Sequence, residues 1–147
     1  NGLCRYDGYN MVRILQSDDP KRVLLLDNRL QSMREWKDRY IWIRLRGRKY
    51  SCYDIKNDIF VDYTADGTYK DTYRNYAITN DSSLWVFDNE KGCKRIQETN
   101  GVFKSTTFSE KNKNITSNNV EFIEDGTHNR IWVGTGNSFV HPCVCFK

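Results

Sequence analysis

Arg44-Leu45-Arg46-Gly47-Arg48-Lys49 is the densest cluster of cations in the chain. Read as a strand, it sets Arg44, Arg46 and Arg48 on one side and Leu45 on the other. The planar fork of arginine matches carboxylates and sulfates bidentately. The stretch therefore reads as a site for an anionic glycan or an acidic protein surface. The plainer reading is a solvated strand end whose charges discourage edge pairing. Trp36 is the second candidate contact. It stands where a strand runs into the polar turn Lys37-Asp38-Arg39, so it is expected to be exposed, and exposed aromatics mark binding surfaces.

Other chemistries find less support. The five cysteines (Cys4, Cys52, Cys93, Cys143, Cys145) include no C-x-x-C pair. They form no zinc spacing with His128 and His141. Cys143-Val-Cys145 is read as pointing to opposite faces of a strand, a poor arrangement for a shared ligand. Most of these thiols read as small apolar packing groups, and the odd number leaves at least one unpaired within the chain. The sequence lacks G-x-S-x-G, H-E-x-x-H and a phosphate-binding glycine loop. Asp18-Asp19 and Glu124-Asp125 read as solvated turn carboxylates. No metal, no cofactor and no catalytic residue is expected. A glycan lyase or hydrolase would need a cluster of carboxylate, tyrosine or histidine, and His141 is the one odd ionisable group near the last apolar phrase. Asn80-Asp81-Ser82 and Asn114-Ile115-Thr116 fit the N-glycosylation pattern and are assigned no role.

The elements that must carry these residues are strands. The 147 residues suggest one domain or a piece of a larger one. Apolar runs such as Val23-Leu24-Leu25-Leu26 are far short of the ~20 residues that cross a bilayer. The net charge of +4 is mild and dispersed, unlike the basic stripe of a nucleic-acid binder. The nearest approach to a helix is Asn28 to Lys37, which is short and flanked by strand-like sequence. Elsewhere short runs rich in Val, Ile, Tyr, Phe, Trp and Thr alternate with Asp, Asn, Gly and Ser, an all-β pattern.

Three of the four tryptophans recur in one context: Tyr40-Ile41-Trp42-Ile43, Ser83-Leu84-Trp85-Val86 and Arg130-Ile131-Trp132-Val133. They are spaced 43 and 47 residues apart. Nine places before each stand Met33, Tyr76 and Ile123. Eight places after stand Tyr50, Cys93 and Val140, and Gly2-Leu3-Cys4-Arg5-Tyr6 matches the later half of the same unit. Trp36 has no counterpart, and Thr79 takes its place in the second unit. Four short strands repeating at ~40–50 residues make the sequence form of a β-propeller blade. Such a sheet has two apolar faces, and stacking sheets around large rings buries both. The fold class is thus all-β, about three blades of an incomplete propeller. The chain divides into a half blade at 1–27, blades at 28–70 and 71–117, and a partial blade at 118–147. Trp42, Trp85 and Trp132 are expected to be mostly buried. An arc this short leaves an uncovered sheet face at each end. The expected partner is therefore the rest of a longer chain, or another copy whose amino-terminal half blade completes the carboxy-terminal one.

Asn1-Gly2-Leu3-Cys4-Arg5-Tyr6-Asp7-Gly8-Tyr9 and Glu124-Asp125-Gly126 through Ile131-Trp132-Val133-Gly134-Thr135 resemble phrases of the two-component regulator propeller repeats. These repeats occur in the extracytoplasmic sensor region of hybrid two-component proteins. The resemblance implies a periplasmic, non-enzymatic sensor region that recognises glycan oligosaccharides and regulates polysaccharide-use genes through a downstream kinase. It implies no nucleic-acid partner and no membrane contact by this region itself. The expected ligand contacts are Arg44, Arg46, Arg48 and Trp36, with an oligosaccharide as ligand, an anionic one where the arginines form the site. The alternative is a stand-alone propeller scaffold that docks another protein.

Overall fold

The computed structural model describes residues 3–14, 25–128, 130–136 and 143–146, the last four by backbone alone. Thirteen strands and one short 3-10 turn (Thr68–Lys70) make up its regular structure, with no α-helix among the described residues. The strands fall into four antiparallel sheets, and the chain divides into two compact units, Asn1–Thr72 and Tyr73–Lys147.

In the first unit, β1 (Leu3–Tyr6) and β2 (Met11–Ile14) form a hairpin. Asp7 closes its turn by accepting the amides of Tyr9 (2.9 Å) and Asn10 (2.7 Å). A complete sheet follows in the order β3 (Leu30–Trp36), β4 (Tyr40–Leu45), β5 (Lys49–Asp54), β6 (Ile59–Val61). The segment with helical spacing is thus β3. Its backbone groups pair with β4 from Leu30↔Leu45 to Trp36↔Tyr40, and that pairing outweighs a weak local preference. Alternation along β4 sorts its side chains. Ile41, Ile43 and Leu45 meet the hairpin, where Leu3, Leu25, Ile43, Leu45 and Tyr53 form a buried cluster flanked by Ile14 and Phe60. On the other face Trp42 stacks on Tyr50 (5.0 Å) and meets the edge of Tyr63 (4.7 Å).

The second unit repeats the plan. β7 (Asn75–Ile78), β8 (Leu84–Asp88), β9 (Gly92–Thr99) and β10 (Val102–Phe108) form a four-stranded sheet. β11 (Val120–Asp125), β12 (Ile131–Thr135) and β13 (Cys143–Phe146) form a three-stranded one. The two sheets stack. Trp85, Phe87 and Cys93 of the first meet Val120, Ile123, Ile131 and Val133 of the second, with Ile115 in the same buried cluster. The rings of Trp85 and Phe108 stack within their own sheet (5.6 Å). Trp42, Trp85 and Trp132 all lie on the second strand of a sheet.

Trp42 and Trp85 are buried, but Trp132 is 38% exposed, against expectation. The reason is its face. Ile131 and Val133 point to the sheet of β7–β10, so Trp132 points away from it. Glu124-Asp125 ends strand β11 rather than lying in a turn, and Asp125 accepts the amide of Asn80 (2.9 Å). Cys143 and Cys145 are register partners of Gly134 and Trp132. Two residues apart on one strand, they occupy the same face, which corrects the expectation of opposite faces. Asp18-Asp19, His141 and Val140 lie outside the described residues.

Candidate functional site

The arginine cluster sits where β4 turns into β5. The strand ends at Leu45 and β5 begins at its register partner Lys49, so Arg46-Gly47-Arg48 form a three-residue turn, with positive φ at Gly47 (78°) and Arg48 (63°). Positive φ at both positions gives the twist that joins two neighbouring strands tightly. The three arginines therefore do not share one side of a strand. Arg44 lies in β4 beside Trp42's face and is half-buried, whereas Arg46 and Arg48 are exposed at the turn.

The Arg46 amide donates to the carbonyl of Arg29 (2.9 Å), which ties the turn to the start of β3. Arg29 in turn grips Asp27 through Nε (2.9 Å) and Nη2 (2.8 Å). Those bonds, the Arg29 amide and the nearby Lys49 hold the Asp27 carboxyl well below the usual range. Arg29, Arg46, Arg48 and Lys49 thus gather at one end of the sheet, with Asp27 countering Arg29. Arg46 and Arg48 are both exposed, and a guanidinium fork matches a carboxylate or sulfate group.

Trp36 is not part of this arrangement. It pairs with Tyr40 at the opposite end of the sheet, about 17 Å away at ~3.3 Å per residue. It is only 2% exposed, with its ring 5.6 Å from that of Tyr40. The expectation that it is exposed fails because the turn residues Lys37 and Asp38, not Trp36, face solvent.

That opposite end is instead held by a buried carboxylate. Asp54 accepts Arg39 Nη2 (2.7 Å), the Lys56 amide (3.0 Å), the Asn57 amide (3.2 Å) and Asn57 Nδ2 (2.8 Å). The bonds from Arg39 lead in holding its pKa below the ordinary value. In the second unit Asp81 plays a similar part. Burial opposes its ionisation, but bonds from Thr79, the Ser83 amide and hydroxyl, and Arg95 outweigh that and bring it to about 2. Arg95 also donates to Ser83 Oγ (3.0 Å) and covers the Trp85 ring (5.6 Å). Both sets are internally satisfied ion networks. Each joins turn bonds from residues two or three places away to one arginine from another turn, Arg39 or Arg95, and it is that arginine which no sequence motif announced.

Cys52 and Cys93 are buried thiols and Cys4 is exposed. Burial pushes Cys93 up to about 12, which leaves no reactive thiolate at neutral pH. Among the described residues, no group of three His, Cys, Asp or Glu side chains is placed to hold a metal. Exposed large apolar residues include Tyr6, Tyr9, Met11 and Val12 on the hairpin, Met33 on β3, Ile55 and Ile59 near β6, Val102 on β10, and Phe122 with Trp132 on the sheet of β11–β13.

No protein-family model matches the sequence, and no curated protein matches it. Solved structures do match. The chain is similar to the extracellular domain of the hybrid two-component system BT3049 from B. thetaiotaomicron, with TM-score 0.60 and 14% identity over 91% of this chain and 19% of that one. It is also similar to two structures of the extracellular domain of BT4673 from the same organism. One, described as a one-component system, gives TM-score 0.54 and 22% identity over 92% of this chain and 17% of that one. The other, described as a hybrid two-component system, gives TM-score 0.52 and 21% identity at the same coverage. The chain therefore shares the fold of part of these extracellular sensor-protein domains and spans less than a fifth of their length.

Proposed function

We propose that the chain is a ligand-sensing module of a two-component-type sensor, placed outside the cytoplasm and without catalysis of its own. The observation that supports this most is the fold shared with extracellular domains of hybrid two-component systems. Within that reading, the ligand is an anionic oligosaccharide engaged at the β4–β5 turn by Arg46 and Arg48, with Lys49 and Arg44 behind them. Trp36 is left out because it is buried at the other end. A kinase coupled to the module, in the rest of a longer chain or in an associated protein, turns binding into control of polysaccharide-use genes.

An array of neutral, uronate-bearing and sulfated oligosaccharides tests the ligand class. Binding confined to acidic members supports the reading. Binding to neutral members alone, or to none, contradicts it. The scaffold reading retains one specific observation, the exposed apolar residues of the hairpin and of the β11–β13 sheet. It gains ground if the array is blank.

A further inference from the structure

Strands β9 and β10 are joined by a two-residue turn. Thr99 and Val102 are register partners, so Asn100-Gly101 alone makes the connection. Both residues have positive φ, 52° and 87°. Asparagine followed by glycine favours that turn, whose twist matches that of the strands it joins. Both residues are exposed. The register they set runs back along the hairpin to Phe108↔Cys93, where the Phe108 ring stacks on Trp85 (5.6 Å).

An asparagine followed by glycine can modify itself. The Gly101 nitrogen attacks Asn100 Cγ, and the new C–N bond closes a succinimide ring. The bond from Cγ to Nδ2 breaks, and the side-chain nitrogen leaves as ammonia with the proton of the Gly101 amide. Water, the only co-reactant, then opens the ring at one carbonyl or the other and leaves aspartate or isoaspartate. Glycine suits the attacking position because it has no Cβ to crowd the approach. Asn57, Asn80 and Asn118 are instead followed by residues with side chains, Asp58, Asp81 and Asn119. Asn1-Gly2 repeats the dipeptide but lies outside the described residues.

In this turn the attacking nitrogen is already engaged. The Gly101 amide donates to Glu98 Oε1, and Glu98 is only 8% exposed. To reach Asn100 Cγ, the nitrogen must swing about the Asn100 Cα–C bond, which the turn fixes, and carry its N–H away from that carboxylate. A hydrogen bond to a charged group costs more to break than a neutral one. We propose that Asn100-Gly101 is a self-modification site, an asparagine that converts to isoaspartate without an enzyme, and that Glu98 withholds the conversion while β9 and β10 stay paired. Isoaspartate routes the backbone through its side-chain carbon and so lengthens the turn by one methylene. Turn length sets strand register, so the product works against the pairing that brings Phe108 beside Trp85. Loss of ammonia makes the step one-way, and an opening of this hairpin is thereby recorded covalently. The site is independent of the ligand-sensing reading.

Peptide mass spectrometry with an isoaspartate-specific assay reads the conversion at Asn100 while the 147-residue protein is incubated at mildly alkaline pH, either folded or in urea. The folded wild type should convert slowly and the urea-unfolded chain much faster. In folded protein Glu98→Ala should speed the conversion roughly tenfold or more, as the loss of one charge-assisted hydrogen bond implies. Glu98→Gln keeps an accepting oxygen without the charge, so its rate should fall between the two; it carries the comparison if Glu98→Ala does not fold. Thr79→Val weakens the same unit away from the turn and should leave Asn100 near the wild-type rate. A folded wild type that converts as fast as the unfolded chain would overturn the role of Glu98. So would Glu98 variants that convert at the wild-type rate, or a Thr79→Val rate equal to theirs. No conversion at Asn100 even in urea would overturn the site itself.

Discussion

Replacing Asp54 with asparagine keeps the side chain's shape and removes its charge, so the effect reads out what the carboxylate holds. Asp54 gathers donors from two turns: Arg39 after β3, and Lys56 and Asn57 after β5. Breaking a buried ion pair by removing one partner costs ~3–5 kcal/mol. The Asp54 side chain is 2% exposed, but that of Arg39 is 29% exposed, so water replaces part of the lost attraction. The expected cost for Asp54→Asn is then about 2–3 kcal/mol. With a urea slope of ~1 kcal/mol per molar for a small unit, the midpoint of the first unit should fall by about 2–3 M. The pH dependence follows the same bond. The folded pKa of Asp54 is depressed, so its stabilisation is fully present above the unfolded value of ~3.9 and is lost as pH falls through the folded value. Asp54→Asn should flatten that part of the acid limb. A double-mutant cycle with Arg39→Ala should show coupling. A midpoint shift under about 0.5 M, or additive effects, would refute the reasoning. The substitution lies at the end of the sheet away from Arg46 and Arg48, so ligand binding at that turn should survive wherever the protein stays folded.

The other expectations are separate from that one. Gly92 has φ +80°, and a methyl group there would run into the Phe108 carbonyl; since backbone cannot yield as a side chain does, Gly92→Ala should destabilise the second unit by roughly 2–4 kcal/mol in urea melts. In native protein at pH 8, a maleimide should mark Cys4 and spare Cys52 and Cys93 until unfolding, as located by peptide mass spectrometry; rapid native labelling of Cys93 would contradict its burial. Iodide should quench Trp132 far more than Trp36, Trp42 or Trp85, and Trp132→Phe should remove the quenchable fraction, whereas quenching that survives this change would show the buried three to be misplaced. Thr79→Val removes the hydroxyl that accepts from Trp85 Nε1 (3.3 Å) and donates to Asp81 (2.6 Å); a loss of ~1–3 kcal/mol in urea melts is expected, and no change would dismiss the network as incidental.

Much of the fold is legible because stacked sheets impose a period on sequence. A large ring on every second strand, alternating with aliphatic residues at its sides, is what two buried faces require. The open face around Trp132 was not legible, because the residue has the same neighbours in sequence as Trp85 and differs only in what lies across from it. The arginine site was half legible. Composition marks the cluster, but strand geometry alone put Arg44, Arg46 and Arg48 on one side, since the left-handed conformation of Arg48 leaves no trace in spacing. Trp36 misled for a similar reason. A tryptophan beside a charged turn reads as exposed, yet the sheet folds it inward and leaves Lys37 and Asp38 in solvent. The Asp54 and Asp81 networks each add to local turn bonds one arginine from the neighbouring strand's turn, 15 and 14 residues away, and a local motif does not reveal that arginine.

The most direct test of the sensing account is a calorimetric titration of the 147-residue protein with a sulfated or uronate-bearing oligosaccharide at several salt concentrations. Arg46 and Arg48 are exposed, and attraction at such a site is screened over ~8 Å at physiological ionic strength. The account predicts binding that weakens steadily as salt rises, and that falls roughly ten- to a hundredfold in Arg46→Ala and again in Arg48→Ala, at ~1.5–3 kcal/mol for each charged hydrogen bond. Binding indifferent to salt and to both substitutions, or no binding to any acidic oligosaccharide, would contradict it.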